Sequence, residues 1–213
     1  GGRTLALAKR IVALPGLRFC GLMGYEGHVV MTPDWNERKQ KTVAALTQLT
    51  STAGLLRQTG IPVEIISSGG TGTYDISGHV PGITELQVGS YMTMDAQYRQ
   101  SVGIRFDYGL TVLCTVISTR GGDHAIFDAG LKTMTRDFGM PLCLRPGGWN
   151  VTGLSEEHGF LKRVDGPPLK MGDKVEIVPN HGCTTINLHD QYHVIRDGRL
   201  EAIWPIAGRG KVQ

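Results

Sequence analysis

A histidine and a cysteine in close sequence proximity, His181 and Cys183, are the residues of this sequence best suited to hold a metal ion. They lie in the segment PNHGCTTINLHD, residues 179–190, directly after the alternating run KVEIV. If this segment is extended, residues i and i+2 project from the same face and can reach one ion. An imidazole with a thiolate favours zinc, and a site with so few protein ligands keeps open positions, as a catalytic metal does. The alternative is a buried cysteine beside a histidine that caps a turn.

A second stretch, EIISSGGTGTYD over residues 64–75, could bind a phosphate group. A loop of small residues directly after a strand directs several backbone N–H groups towards one point, and its glycines permit close approach. The stretch lacks the GK[ST] ending of a nucleotide-binding P-loop. A tight turn without a ligand is the alternative, although loops at the carboxyl ends of parallel strands are common ligand sites.

Polar residues also follow two other short apolar runs. Because each group comes just after a predicted strand, we expect these side chains to line a site. They are Tyr25, Glu26 and His28 in GLMGYEGH, and Ser90, Tyr91 and Asp95 in GSYMTMD.

The elements that must position these residues differ between the two halves of the chain. Helices are predicted over residues 4–14 and over residues 34–58, where Asp34 is the expected N-cap. They alternate with predicted strands, which is the pattern of an α/β fold with a parallel sheet or barrel. From about residue 104, short strands separated by glycine-rich turns predict an all-β half, with the boundary near residues 98–104.

Composition and charge exclude several classes of protein. The 213 residues are 40% apolar and 19% charged, which is typical of a folded globular protein. The net charge is +3 without a basic run between aromatics, so we expect a small charged metabolite and no nucleic acid as partner. No apolar run approaches the roughly 20 residues that cross a bilayer, and we expect no signal peptide. The scattered cysteines indicate reduced thiols, so we expect no membrane association and a cytoplasmic location.

These segments together resemble a known family. In order, GLRFCGLMGYEGH, SSGGTGTYD, PGITELQVGSYMTMD, AIFDAGLKTMTRDFG, PNHGCTTINLHD and IWPIAGRG are similar to the C-terminal part of the D-threonine aldolase and D-serine dehydratase family. Members of this family are similar to alanine racemase in fold, with a (β/α)8 barrel that carries pyridoxal 5′-phosphate (PLP) and a β-domain. The resemblance implies that residues 1–100 are the last part of the barrel and that residues 101–213 are the β-domain with a metal site.

The resemblance also implies roles for individual residues in cofactor binding. Tyr25 would lie beside the pyridine ring of PLP. The residues that would hold the cofactor phosphate are Gly70, Thr71 and Gly72, through their backbone, assisted by Ser90 and Tyr91.

His181 and Cys183 match the family's pair of ligands for an activating divalent metal, which we expect to be zinc. Such an ion could act as a Lewis acid on the β-hydroxyl of a D-amino acid. Dehydratase-like members carry His-x-Cys, whereas aldolases carry His-x-Asp, so Cys183 favours elimination of water and ammonia to a 2-keto acid. Retro-aldol cleavage to glycine and an aldehyde is the alternative.

The lysine that forms a Schiff base with PLP in this family lies at the end of the first barrel strand, upstream of any residue here. Lys132 falls in a segment that the resemblance assigns to the β-domain, so we expect no catalytic residue in this chain. The chain is therefore interpreted as a fragment of a longer, homodimeric enzyme. One alternative is a non-catalytic PLP- or metal-binding protein, and another is a structural zinc module that also uses His189 and His193.

Overall fold

The computed structural model describes residues 1–211, which form two compact units. Unit 1 comprises Gly1–Tyr91 and Gln100–Arg105, and unit 2 comprises Met92–Arg99 and the chain from Phe106 onward. The predicted boundary near residues 98–104 lies in the segment where the chain passes between units. That residues 1–100 belong to a PLP barrel, and residues 101–213 to its β-domain, stays a prediction.

Unit 1 combines helices with a small parallel sheet. The strand order is β1-β2-β3, and both pairings are parallel, with Gly21 opposite Ile65 and Ser67 opposite Glu85. The elements are α1 (Gly2–Ala13), β1 (Gly21–Met23), α2 (Trp35–Gln58), β2 (Ile65–Ser68), α3 (Tyr74–Ser77) and β3 (Glu85–Leu86).

Residues at the ends of the two long helices of unit 1 explain where these helices begin or end. The Asp34 side chain accepts a hydrogen bond from the N–H of Glu37 at 2.7 Å, which confirms the predicted N-cap of α2. Helix α1 ends at Ala13, just before Pro15. The apolar faces of both helices pack with β2 in one core. Its buried residues are Ala8, Ala53, Leu56, Ile61, Val63 and Ile66.

Unit 2 is built on a closed, six-stranded antiparallel barrel. Its strand order is β4-β5-β8-β7-β6-β9, with β9 pairing back onto β4. Alternate residues such as Cys114, Val116 and Phe127 point inward and are buried. The strands are β4 (Val112–Arg120), β5 (His124–Phe127), β6 (Leu142–Arg145), β7 (Trp149–Leu154), β8 (Gly159–Arg163) and β9 (Lys174–Val178).

A short helix and a hairpin follow the barrel. The hairpin β10 (Gln191–Arg196) and β11 (Arg199–Pro205) confirms the strand predicted at QYHVIRDG, and positive φ angles at Asp197 and Gly198 form its turn. The extended conformation considered for residues 179–190 is wrong, because the chain there forms helix α4 (Gly182–Ile186). Over residues 1–211, no helix has the length and apolar character that crossing a membrane requires.

Candidate functional site

The glycine loop, residues 69–73, follows β2 in unit 1 and has a conformation that larger side chains would block. Gly69 has a φ of +81°, in the left-handed region that favours glycine. A Cβ atom added at Gly72 would lie 2.0 Å from the carbonyl oxygen of Val30, which is backbone and cannot rotate away. The loop therefore brings main-chain groups close together, as a cradle for a small anion requires.

The backbone amides of this loop are not equivalent. The N–H of Gly70 donates to Oγ1 of Thr73 at 3.1 Å. The N–H groups of Thr71 and Gly72, by contrast, donate to no acceptor within residues 1–211. Of the residues predicted to hold a phosphate through their backbone, Thr71 and Gly72 thus keep amides free for a ligand, and Gly70 contributes mainly by its small size.

Tyr25 lies against the glycine loop from the end of β1. A Cβ atom added at Gly70 would lie 2.7 Å from the Tyr25 hydroxyl oxygen, so the tyrosine ring packs directly on the backbone of Gly70. The tyrosine side chain is 47% exposed, which leaves part of its ring open to a ligand. A half-exposed aromatic beside an anion cradle is suited to line the binding site of a flat, phosphorylated molecule.

The segment after β3 reaches the same loop. The N–H of Tyr91 donates to Oγ1 of Thr71 at 3.1 Å, although 20 residues separate them. Ser90 precedes Tyr91 in the 3₁₀ helix Ser90–Met92 and is half-buried. The structure thus brings Tyr25, Gly70, Thr71 and Tyr91 together in unit 1, with Ser90 adjacent in the chain.

Glu26 does not line the site as predicted, but lies beneath the glycine loop. Its side chain is 2% exposed, whereas His28 is exposed. Burial would raise the pKa of Glu26, yet hydrogen bonds from Thr73 and Ser68 outweigh burial and lower the pKa, so the carboxylate stays ionised. Four donors to it are the hydroxyls of Ser68, Thr73 and Ser77 and the N–H of Gly69.

In unit 2, the imidazole of His181 is oriented by a carboxylate from a distant segment. Nδ1 of His181 donates to Oδ2 of Asp137 at 2.5 Å, and the Phe138 ring lies 4.6 Å from the imidazole between centroids. Because the carboxylate can only accept, Nδ1 is the donor in this bond and Nε2 is the ring nitrogen left for another partner. A histidine held in this way is ready to bind a metal through Nε2.

Hydroxyl groups hold Asp137 in place. Thr184 donates to the Asp137 carboxylate at 3.3 Å, and Oγ1 of Thr135 lies 2.6 Å from Oγ1 of Thr184. Partial burial would raise the pKa of Asp137, but hydrogen bonds from Thr135 and His181 lower it below the usual range. Sequence reasoning missed Asp137, since nothing local pairs an aspartate of TRDFG with a histidine 44 residues later.

His181 and Cys183 are not neighbours on a strand. His181 is the N-cap of α4, with extended backbone, and Cys183 is exposed in the first turn of the helix. Asp95, which was predicted to line a site, is buried and accepts from the N–H of Gly182 at 3.2 Å, and burial raises its pKa. The described residues contain no group of three or more metal-binding side chains. Imidazole and thiol remain a donor set that suits zinc, and a site on these two residues leaves coordination positions open.

The residues of the alternative interpretations are engaged elsewhere. Nε2 of His189 lies 2.7 Å from the carbonyl oxygen of Thr133, and His193 belongs to the β10–β11 hairpin. Lys132 is exposed and forms an ion pair with Glu157 at 2.9 Å. A structural zinc site on the four residues therefore has no support in the geometry, and Lys132 occupies a surface position.

Comparison with known proteins places these features in one family of sequences. The family model described as "Putative serine dehydratase domain" matches residues 109–195. The chain is 36% identical to the 3-hydroxy-D-aspartate aldolase of Paracoccus denitrificans (strain Pd 1222), over 98% of this chain and 56% of that protein. The chain thus spans little more than half the length of the curated relatives it matches.

Solved structures give the same result. The structure superimposes on D-threonine aldolase from Filomicrobium marinum with a TM-score of 0.92 and 34% identity, covering 100% of this chain and 59% of that chain. For D-threo-3-hydroxyaspartate dehydratase from Delftia sp. HT23 the TM-score is 0.74 at 28% identity, covering 89% and 56%. Solved variants of that dehydratase replace a histidine and, in a metal-free form, a cysteine two positions later.

Proposed function

Because this chain belongs to the D-threonine aldolase and D-serine dehydratase family, we propose that it is part of a lyase that uses PLP and a divalent metal to act on β-hydroxy D-amino acids. The observation that carries this proposal is the glycine loop of unit 1, with two free amides and an exposed tyrosine beside it. Unit 2 adds a histidine whose metal-binding nitrogen is free.

The residues of the glycine loop fit the cofactor's phosphate. The N–H groups of Thr71 and Gly72 would donate to phosphate oxygens, and the Tyr91 segment would close the cradle through its bond to Thr71. Ser90 would add a hydroxyl, and Tyr25 would pack beside the pyridine ring. When bound, PLP withdraws electrons from the bonds at the α-carbon of an amino acid.

The metal would be held by Nε2 of His181 and Sγ of Cys183, and zinc is the ion that these donors favour. Asp137 accepts from Nδ1 of His181 and so leaves Nε2 as the nitrogen that would bind the metal. Bound there, the ion would serve as a Lewis acid for the β-hydroxyl of the substrate. The exposed position of Cys183 leaves room for ligands other than protein side chains.

Cys183 favours elimination over carbon–carbon cleavage. Dehydratase-like members of the family carry cysteine at this position, and the Delftia dehydratase has been solved with such a cysteine replaced, in metal-free form. The products would be a 2-keto acid and ammonia, as for D-serine dehydratase.

Retro-aldol cleavage to glycine and an aldehyde is the second candidate. Its support is the higher identity to aldolases, 36% over nearly the whole chain, against 33% over 62% of it for the dehydratase. The two reactions differ in products, so one assay with D-serine, D-threonine and 3-hydroxy-D-aspartate separates them. Glycine and an aldehyde as the only products would overturn elimination.

A PLP enzyme of this kind needs a lysine for the cofactor, and we propose that it lies outside these 213 residues, upstream. The decisive experiment is the intact mass of the protein from its natural source, before and after borohydride reduction. A mass well above 23.1 kDa with a reduced PLP adduct on an upstream lysine is expected. A mass of 23.1 kDa without an adduct would instead favour a non-catalytic binding protein. A homodimer, expected from the similarity to alanine racemase, is tested by light scattering on the same sample.

A further inference from the structure

Glu26 is a charged group buried in unit 1 that the proposed chemistry does not use. Its side chain is 2% exposed, so the carboxylate contacts neither solvent nor any ligand on the open side of the glycine loop. A buried charge is costly unless donors surround it. Four donors to this carboxylate belong to the segment from Ser68 to Ser77, which contains the glycine loop.

The two carboxylate oxygens hold opposite ends of the loop. Oε2 accepts from the Ser68 hydroxyl at 2.7 Å and from the N–H of Gly69 at 3.1 Å, at the entrance of the loop. Oε1 accepts from the hydroxyls of Thr73 at 2.5 Å and Ser77 at 2.9 Å, at its exit. A single rigid group therefore sets the separation of the two ends of the loop.

Thr73 extends this control to the middle of the loop. Its hydroxyl donates to Glu26 and, with its oxygen, accepts from the N–H of Gly70 at 3.1 Å. Bonds in such a chain polarise one another, so an ionised acceptor at its end strengthens each of them. The N–H groups of Gly69 and Gly70 are taken up by Glu26 and Thr73, whereas the next two amides, of Thr71 and Gly72, have no acceptor within residues 1–211.

We propose that Glu26 is a positioning residue for phosphate binding: its carboxylate shapes the glycine loop from below so that the amides of Thr71 and Gly72 converge on the phosphate of the cofactor. This inference rests on the proposed PLP function. The carboxylate lies on the inner side of the loop. It would therefore affect phosphate binding indirectly, through the hydroxyls and amides that it holds in place. A residue that merely stabilised unit 1 would affect all ligands alike, whereas Glu26 in this role would affect binding of the phosphate group.

The test compares two ligands that differ only in the phosphate. Equilibrium binding of PLP and of pyridoxal is measured on the natural-length apoprotein, for the wild type and for Glu26→Gln. The amide presents donors where the carboxylate only accepts, so the Kd for PLP should rise about tenfold or more, while that for pyridoxal changes less than about twofold. Glu64→Gln is the matched control, since Glu64 is exposed and pairs with Arg18 at 2.8 Å on the surface of unit 1.

A second variant keeps the proposal testable if Glu26→Gln does not fold. Thr73→Val preserves side-chain shape but removes the hydroxyl between Gly70 and Glu26. It should give the same selective loss of PLP affinity. Equal losses for PLP and pyridoxal, or no loss in a folded variant, would overturn the positioning role. If the wild-type protein does not prefer PLP to pyridoxal, the proposed function itself fails, which is a different result.

Discussion

Oδ2 of Asp137 and Nδ1 of His181 lie 2.5 Å apart in unit 2, although 44 residues separate them in the chain. This contact is a carboxylate–histidine pair of the kind that orients metal ligands in proteins. Nδ1 is the donor in this contact, which leaves Nε2 as the ring nitrogen for another partner. In the proposed metal site, this contact would orient His181 before any ion binds.

Replacing Asp137 by asparagine should weaken metal binding. The amide lacks the charge that raises the basicity of the imidazole, and its NH₂ can donate to Nδ1, which shifts the proton to Nε2. We expect about a 10- to 100-fold increase in the Kd for zinc, measured by competition with a chromophoric chelator. Asp123→Asn is the control, since Asp123 pairs with Nδ1 of His124 at 2.8 Å on the exposed surface. An equal Kd in both variants would refute the role of Asp137.

Zinc should protect Cys183 from alkylation. Its thiol is exposed, and binding to the metal would remove its nucleophilic lone pair from reaction. In unit 2, burial raises the pKa of Cys114 to about 12 and that of Cys143 to about 11, so both should stay protonated and unreactive in the folded protein. Peptide mapping after iodoacetamide treatment, with and without zinc, measures each thiol.

Cys20 serves as the internal control for that experiment. It is partly exposed in unit 1 and should react at the same rate with or without zinc. Protection of Cys20 together with Cys183 would indicate a global change in accessibility and would count against a metal site at Cys183.

Gly72→Ala should impair PLP binding. The added Cβ would lie 2.0 Å from the carbonyl oxygen of Val30, so the backbone of the glycine loop must shift. We expect about a tenfold or greater rise in the Kd for PLP, because the free amides lose their convergence. Gly54→Ala in α2 is the matched control: its Cβ meets no atom within 4 Å, and alanine is favoured in a helix interior. Unchanged PLP affinity in Gly72→Ala would remove the glycine loop from the cofactor site.

Glu26→Gln should destabilise the protein in a pH-dependent way. The pKa of Glu26 is lowered below its ordinary value of 4.5 in the folded state, so its ionisation stabilises the fold above that pH. The stabilisation is lost as the pH falls through the lowered pKa and the folded carboxylate takes up a proton. The difference in free energy of unfolding between wild type and variant should therefore be largest at neutral pH and shrink in acid. Urea unfolding across this range measures it, and a constant difference would contradict an ionised Glu26.

The sequence was informative where structure is determined locally. The N-cap at Asp34 and the hairpin at Asp197 and Gly198 depend on a few neighbouring residues, so both regions could be predicted. Helix α4 could not be predicted in this way, because its first turn is held by a hydrogen bond from the N–H of Gly182 to Asp95, 87 residues earlier. An alternating pattern before it wrongly favoured a strand.

In the candidate site, too, contacts between residues distant in the sequence could not be predicted. Residue types and the family resemblance selected Thr71 and His181, which can bind ligands directly. They did not select Asp137, and they assigned Glu26 to the lining of the site, because both act through hydrogen bonds to residues more than 40 positions away. Closure of the barrel was likewise unforeseen, since it depends on one long-range pairing.

That closure has a consequence for how unit 2 folds. Strand β4 pairs with β9, so that Cys114 lies opposite Val175, roughly 60 residues later. The pairing of β4 with β9 can form only when the intervening strands are in register. We therefore expect the barrel to form cooperatively and more slowly than the helices of unit 1, whose contacts are local. Helix α4 begins a few residues after β9. The structure around His181 should therefore form late in folding, together with the closed barrel.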